Sequence, residues 1–132
     1  MLKLTSKEKQ WLLDHPEIKL GIDRAWAPIE YLNKEGKYSG LGGSIVEQIE
    51  NILGIRFVID KTLSWQDTIK KAKVKDIDMF STMRKTEQRS KYLDFTKPYI
   101  SLPNLIFTGQ ETPYIDSMDY LKDKKVCVVE GF

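Results

Sequence analysis

The chain has 132 residues, 41% of them apolar and 30% charged, which is typical of a folded domain and excludes disordered, collagen-like and low-complexity classes. Lys and Arg number 21 against 19 Asp and Glu, so the net charge of +2 gives no support to a nucleic-acid partner. The single cysteine, Cys127, excludes an intrachain disulfide and a thiolate metal site, and no apolar run is long enough for a membrane span.

The chain begins with a short helix that precedes the rest of the fold. Thr5 and Glu8 have the spacing of a capping box, and apolar residues follow them until Pro16. This pattern predicts a lead-in helix. His15 is the only histidine, and its place before Pro16 predicts a C-terminal cap instead of a metal ligand.

Strands and helices alternate from residue 18 to residue 82. Apolar runs predict three strands, at residues 18–23, 55–59 and 76–81. Apolar positions at helical spacing predict a helix from Ser44, ended by Gly54 in the left-handed conformation. Ser64 and Asp67 cap a further helix. The alternation predicts an α/β fold with a mostly parallel sheet flanked by crossover helices.

The last third of the chain has a less regular pattern. Short helices are predicted at residues 86–93 and 117–121. Residues 101–108 predict a long strand, and residues 124–129 predict a strand of the buried kind. Within the latter, Cys127 is predicted to be a small buried apolar group, with a reactive thiol as the alternative.

Polar and aromatic side chains follow the predicted strands, and in open α/β sheets ligands bind at the carboxyl ends of the strands. The candidate residues are, in chain order, Asp23, Trp26, Trp65, Thr82, Arg84 and Arg89. Guanidinium groups bind carboxylates, a carboxylate receives an ammonium, and indoles stack on a ligand. The set contains no nucleophile–base pair and no metal cluster. It therefore predicts binding of a small zwitterion and not catalysis, and it calls for no cofactor.

Each candidate also has a purely structural interpretation. Trp26 and Trp65 suit core or edge packing equally well, and Asp23 suits a turn. The polar run that contains Arg84 and Arg89 is typical of a solvated face. The residues alone therefore predict an α/β ligand-binding domain without a defined ligand.

Several motifs resemble, in the right order, the periplasmic solute-binding proteins of the amino-acid-binding type, family 3. The resemblance covers residues 18–132 and is carried by residues 22–31, 38–40, 64–65, 76–79, 86–89 and 94–99. Its most specific parts are the Thr-x-x-Arg motif ending at Arg89 and the Asp-Phe-Thr-x-Pro-Tyr motif ending at Tyr99. The lead-in segment is similar to those that precede such domains in membrane-bound sensors with histidine-kinase or diguanylate-cyclase output modules.

The resemblance implies a type II periplasmic-binding lobe, one half of a clamshell that closes on its ligand. By position, Arg89 matches the arginine that clamps the ligand carboxylate, and Asp23 matches the acid near the ligand ammonium. Trp26 and Trp65 match the apolar walls, and Thr82 matches a hydrogen-bonding position. The sequence departs from the family at Arg84, where Ser or Thr is usual. A guanidinium there rejects standard amino acids, favours a second acidic group or fills the site.

The expected function is a solute-binding domain for an amino-acid-like or carboxylate ligand, acting as the sensory module of a bacterial transmembrane signalling protein. The alternatives are the binding component of an ABC amino-acid transporter, working with a permease, and the non-catalytic module of a peptidoglycan lytic enzyme. Each implies the periplasmic or extracellular face of a bacterial membrane, with the export signal absent from this chain.

The resemblance divides the chain into a lead-in segment (residues 1–17), a first lobe (18–110) and the crossover and first strand of a second lobe (111–132). By this division, most of the second lobe is missing. We therefore expect weak ligand binding by this chain. We also expect self-association, with strand exchange as one route to it, because the cleft face and the last apolar strand would be exposed.

Overall fold

The computed structural model describes residues 2–128. The chain separates into two compact units, Met1–Asp94 and Phe95–Phe132. Within the described residues no helix is long and apolar enough to cross a membrane. The boundary between the units differs from the division at residues 17 and 110 expected from the resemblance, which stays a prediction.

The first unit begins with the predicted lead-in helix, α1 (Ser6–Asp14). The capping box is formed: the Thr5 hydroxyl accepts from the Glu8 backbone N–H at 3.3 Å, and the Thr5 backbone N–H donates to the Glu8 carboxylate at 2.7 Å. His15 is the C-terminal cap, as predicted, and its ring stacks on Trp11 with centroids 4.3 Å apart.

The first unit contains two small sheets, and the predicted parallel arrangement is confirmed. The central strand β1 (Glu17–Gly21) lies between two parallel neighbours. The remaining strands are β2 (Ala25–Trp26), β3 (Glu30–Leu32), β4 (Tyr38–Ser39), β5 (Arg56–Val58) and β6 (Met79–Phe80). The parallel sheet has the order β5-β1-β6, and β2-β3-β4 form an antiparallel sheet.

Two helices follow the strands as the periodicity predicts, although the first begins earlier than Ser44. Helix α2 (Leu41–Leu53) ends at Gly54, whose φ of 71° is the predicted left-handed cap. It starts at Leu41 because Gly40 takes a φ of 92° and directs the chain into the helix. Helix α3 (Trp65–Lys73) has Ser64 as its N-cap, as predicted.

The core lies between β1, β5 and α2. Its buried side chains are Leu20, Ile22, Val46, Ile55 and Phe57. Leu12 of α1 packs against this cluster, so the lead-in helix is attached to the core through one apolar side chain. The core fixes the directions of β1 and β5 and thereby places the loops that follow them.

Beyond β6, several predicted elements are corrected. The helix predicted at residues 86–93 is reduced to a 3-10 turn, Arg89–Lys91. The strands predicted at residues 101–108 and 124–129 do not form over the described residues, because neither segment has a strand partner there. Val129 lies outside the described residues. Cys127 is exposed, so its predicted buried position is wrong. The short helix predicted at residues 117–121 is confirmed as a 3-10 helix, Met118–Leu121.

Candidate functional site

The three parallel strands end at one edge of the first unit, and the candidate residues lie just beyond those ends. Strands β1, β5 and β6 run in the same direction, so their carboxyl ends meet at this edge. Asp23 follows β1 after one residue, Trp65 opens the helix that follows β5, and Thr82 follows β6 after one residue. The topology therefore places the candidates where open α/β sheets bind ligands.

Arg89 and Trp65 form one part of this edge. The Arg89 guanidinium carbon lies 5.8 Å from the centroid of the Trp65 ring, within the range of a cation–π contact. The same indole meets Phe80 edge-on, with centroids 5.9 Å apart. One guanidinium nitrogen of Arg89 donates to the backbone carbonyl of Arg84 at 2.9 Å. Arg89 and Trp65, which were predicted as site residues from different parts of the chain, are thus brought together.

Arg89 is only 9% exposed, which is unusual for an arginine. Burial lowers the pKa of Arg89; the nearby Tyr92 opposes this in part, and the positive charge of Arg84 makes the smallest contribution, a further lowering. Arginine nevertheless stays charged in proteins. A charge removed from water in this way is stabilised by an anionic partner, and a planar guanidinium fits a carboxylate through two parallel hydrogen bonds.

Arg84 contributes to the site through its backbone. Its carbonyl oxygen accepts the hydrogen bond from Arg89, while its own side chain is exposed. Because this side chain is exposed, the described residues do not enclose it within the edge. The Arg84 charge also lowers the pKa of Arg89 slightly, because the two guanidinium groups repel each other.

Asp23 and Thr82 form a second part of the edge, and both are buried. The Asp23 carboxylate accepts from the Ala25 backbone N–H at 2.9 Å, so the residue shapes the turn after β1, as its structural interpretation predicts. The Thr82 hydroxyl makes no well-formed hydrogen bond with a described residue, although it lies close enough to Glu30 to help lower the pKa of that carboxyl. A buried hydroxyl in this condition is energetically costly until a partner satisfies it.

Glu30, which sequence reasoning did not select as a site residue, links these loops. Its side chain is 0% exposed. Its carboxylate accepts from the Asp23 backbone N–H at 2.9 Å, the Tyr38 hydroxyl at 2.7 Å and the Ser81 hydroxyl at 2.9 Å. Burial raises the pKa of Glu30, and the hydrogen bonds oppose this effect only in part. The sequence signal was its place inside the motif of residues 22–31.

Trp26 lies in β2, directly opposite Glu30 in the antiparallel pairing of β2 with β3. Residues directly opposite each other in such a pair point to the same side of the sheet. The indole is half-buried. The structure therefore places Trp26 beside the second part of the edge, whereas Trp65 belongs to the first.

Comparisons with known proteins identify relatives of this fold. Residues 18–126 match the family model of the bacterial extracellular solute-binding proteins, family 3. The virulence sensor protein BvgS of Bordetella pertussis is 23% identical over 127 residues, which is 96% of this chain and 10% of BvgS. The chain thus spans about a tenth of the length of the curated relatives it matches.

Solved structures show the same fold. The periplasmic domain of B. pertussis BvgS superimposes with a TM-score of 0.66 at 22% identity, covering 74% of this chain and 19% of that one. The arginine-bound form of domain 1 of TmArgBP, from T. maritima, gives a TM-score of 0.58 at 23% identity, covering 67% of this chain and 71% of that one. Together with the observed parallel sheet, they establish the fold of a type II periplasmic-binding lobe.

Proposed function

Because the chain belongs to the bacterial extracellular solute-binding proteins of family 3, we propose that it binds a small amino-acid-like or carboxylate ligand at the carboxyl edge of the sheet β5-β1-β6. It does so as the sensory module of a bacterial transmembrane signalling protein, at the periplasmic or extracellular face of the membrane. Family membership supports solute binding. The ligand class and the signalling role are our proposals.

The observation that carries the ligand class is the buried guanidinium of Arg89, held between the Trp65 ring and the Arg84 carbonyl. This guanidinium is the carboxylate clamp. Asp23 is the partner of the ligand ammonium, and the Thr82 hydroxyl gains a hydrogen bond from the ligand. The indoles of Trp26 and Trp65 form the apolar walls on either side.

Two relatives support different parts of this proposal. Domain 1 of TmArgBP is arginine-bound in its crystal structure, which shows for that protein that one lobe of this fold holds an amino acid. BvgS is a virulence sensor, and its similarity extends over almost the whole of this chain. The first relative supports testing this chain for binding directly, and the second supports the sensory role.

Ligand binding is tested by screening the standard amino acids and small dicarboxylates for thermal stabilisation of this chain, followed by calorimetric titration of each hit. We expect at least one α-carboxylate ligand to bind. Substitution Arg89→Ala removes the clamp and should weaken binding by roughly a hundredfold, the effect of losing a charge-assisted hydrogen-bonded pair.

The matched control is Arg56→Ala. Arg56 is exposed and lies at the opposite end of β5, where it pairs with Glu17 at 2.9 Å. The Arg56→Ala substitution removes a positive charge without touching the site, so this variant should bind the ligand with the same affinity as the unsubstituted chain. The site assignment is wrong if Arg89→Ala binds the ligand as tightly as Arg56→Ala does.

The role of Arg84 is tested with ligands that differ in charge. A second positive charge next to Arg89 favours ligands with two carboxylates over neutral amino acids. Arg84→Ser should therefore reduce the preference for dicarboxylates while it leaves the Arg84–Arg89 backbone hydrogen bond in place. An unchanged ratio of the two affinities would show that Arg84 has no part in ligand choice.

The sensory role is tested by the gene sequence beyond codon 132. A second lobe followed by a transmembrane helix and a kinase or cyclase module supports the sensor. A second lobe followed directly by a stop codon contradicts it and supports a binding component of a transporter.

A further inference from the structure

Glu30 is a charged side chain in an unusual position. It opens β3, its side chain is 0% exposed, and acidic residues are almost never fully buried unless their oxygens are satisfied. No described lysine or arginine is recorded as an ion-pair partner of Glu30. Its well-formed hydrogen bonds come from one backbone N–H and two hydroxyl groups, and the Thr82 hydroxyl lies nearby.

These three donors come from three different segments. One carboxylate oxygen accepts from the Asp23 backbone N–H, in the loop after β1. The other accepts from the Tyr38 hydroxyl in β4 and from the Ser81 hydroxyl directly after β6. The hydroxyls of Tyr38 and Ser81 are also within hydrogen-bond distance of each other. A single side chain therefore connects the loops that follow two strands of the parallel sheet.

Those two loops carry candidate ligand-binding residues. The loop after β1 contains Asp23 itself, and Ser81 is followed at once by Thr82. Resting on the proposed function, we infer that Glu30 is a positioning residue of the ligand site, which fixes the separation between Asp23 and Thr82 through its hydrogen bonds to the Asp23 backbone and the Ser81 side chain. Glu30 does this from the interior and does not touch the ligand.

The first turn of helix α2 packs closely against Tyr38 and Glu30. A Cβ atom added at Gly42, in the first turn of α2, would lie 2.5 Å from the Tyr38 hydroxyl and 3.4 Å from the Cβ of Glu30. The backbone of α2 therefore lies directly against the Tyr38 hydroxyl and Glu30, and position 42 has no room for a side chain. Because the cluster is closed on this side, loss of one hydrogen bond shifts the loops instead of being absorbed by the helix.

Charge supports the same role. An ionised carboxylate accepts three hydrogen bonds at once, whereas a neutral one gives up part of that capacity. Burial raises the pKa of Glu30, and the donors lower it, so the hydrogen bonds are what favours the accepting, ionised form. The titratable group that hydrogen-bonds to Glu30 is the Tyr38 phenol of β4, whereas Asp23 reaches the carboxylate through its backbone N–H.

The test uses this chain with Glu30→Ala, Glu30→Gln, Tyr38→Phe and Ser81→Ala, and with Glu35→Gln as the matched control in an exposed turn. L-arginine and L-glutamate are the probes, titrated at a temperature where each variant remains folded. The Asp23 and Thr82 backbone amides are followed by NMR without ligand.

We expect Glu30→Ala and Ser81→Ala to weaken binding of whichever probe binds by roughly tenfold, with partial recovery in Glu30→Gln, because the amide oxygen still accepts from Asp23. Both alanine variants should also shift the Thr82 amide, which makes no direct bond to Glu30. Glu35→Gln should change neither quantity. A purely structural Glu30 would lower the melting temperature and leave the affinity of the folded protein unchanged.

The inference is overturned if folded Glu30→Ala, or Ser81→Ala where Glu30→Ala does not fold, keeps both the affinity and the Thr82 amide position of the unsubstituted chain. If the unsubstituted chain binds neither these probes nor any member of the amino-acid and dicarboxylate screen, the proposed ligand class fails, while the Asp23 and Thr82 amides still decide whether Glu30 positions the two loops. The two failures are therefore distinguishable.

Discussion

The two compact units differ in what becomes of their apolar residues. Residues 2–94 contain a buried core, with Leu20 only 1% exposed, and paired strands. Among residues 95–128 no side chain is buried, and large apolar groups such as Leu105 and Phe107 are 70% and 90% exposed. An apolar run therefore becomes a strand in the first unit, where β1 offers partners on both sides. The same kind of run stays irregular where the described residues provide none.

The largest expected difference concerns the core. Leu20→Ala removes a buried side chain and should lower the free energy of unfolding by about 2–5 kcal/mol. Leu105→Ala, the same substitution at an exposed position of the second unit, should change it by less than about 0.5 kcal/mol. Urea denaturation followed by circular dichroism measures both. Equal losses would show that the second unit is as well packed as the first.

A smaller difference is expected when a methyl group is added. At Gly21 a new Cβ would lie 2.6 Å from the Phe80 ring and 2.8 Å from the Thr68 methyl group. Gly21→Ala should therefore cost about 1–3 kcal/mol through overpacking.

At Gly109, in the second unit, the nearest atom would be 3.8 Å away. Gly109→Ala should leave the denaturation midpoint unchanged, which makes it the matched control. A stability loss at Gly109 comparable to that at Gly21 would mean that the second unit packs tightly around this turn.

Removal of a helix N-cap should give a smaller difference in stability between the two units. The Ser64 hydroxyl accepts from the Asp67 backbone N–H at 3.2 Å and caps α3, so Ser64→Ala should cost about 1 kcal/mol. The Ser117 hydroxyl makes the equivalent bond at 3.1 Å to a four-residue 3-10 helix with no buried side chain. Ser117→Ala should have no measurable effect on thermal unfolding, and a loss equal to that of Ser64→Ala would contradict this account.

The last comparison concerns the pH dependence of stability. Burial raises the pKa of Glu30 above its usual 4.5, so the folded protein binds more protons than the unfolded chain between these two values. The contribution of Glu30 to stability therefore falls as the pH rises through this window and is constant above it.

Glu30→Gln should remove this slope from a series of urea titrations at increasing pH. Glu111→Gln, at an exposed acid of the second unit, should leave the slope as it is in the unsubstituted chain. An identical slope in both variants would show that Glu30 does not titrate differently in the folded state.

Local features of the fold were accessible from the sequence. The capping box at Thr5, the caps at Ser64 and Gly54, and the parallel sheet all follow from short-range patterns, and each is confirmed. The start of α2 was missed because it depends on long-range bonds. The Leu41 and Gly42 backbone N–H groups donate to the carbonyls of Pro28 and Ile29, which no local pattern reveals.

The candidate site likewise contains residues that the sequence could identify and one that depends on long-range contacts. The sequence placed Trp65 and Arg89 after two successive strands of the chain, β5 and β6, and the structure brings the two side chains to 5.8 Å between the guanidinium carbon and the ring centroid. The position of Glu30 could not be predicted, because its side chain is satisfied by donors 7, 8 and 51 residues away along the chain. Without those partners an acid in a short extended segment is indistinguishable from a surface residue.

The hydrogen bond from Arg89 to the Arg84 carbonyl has a consequence for how this lobe can change over generations. Every amino acid carries that carbonyl, so the anchor of the clamp is preserved whatever side chain stands at position 84. Residue 84 is thereby free to be replaced as ligands change, whereas the arginine that it supports need not be rebuilt. If Arg89 is the carboxylate clamp that we propose, a substitution at position 84 changes the side chain beside the ligand and keeps the main-chain acceptor that holds the clamp.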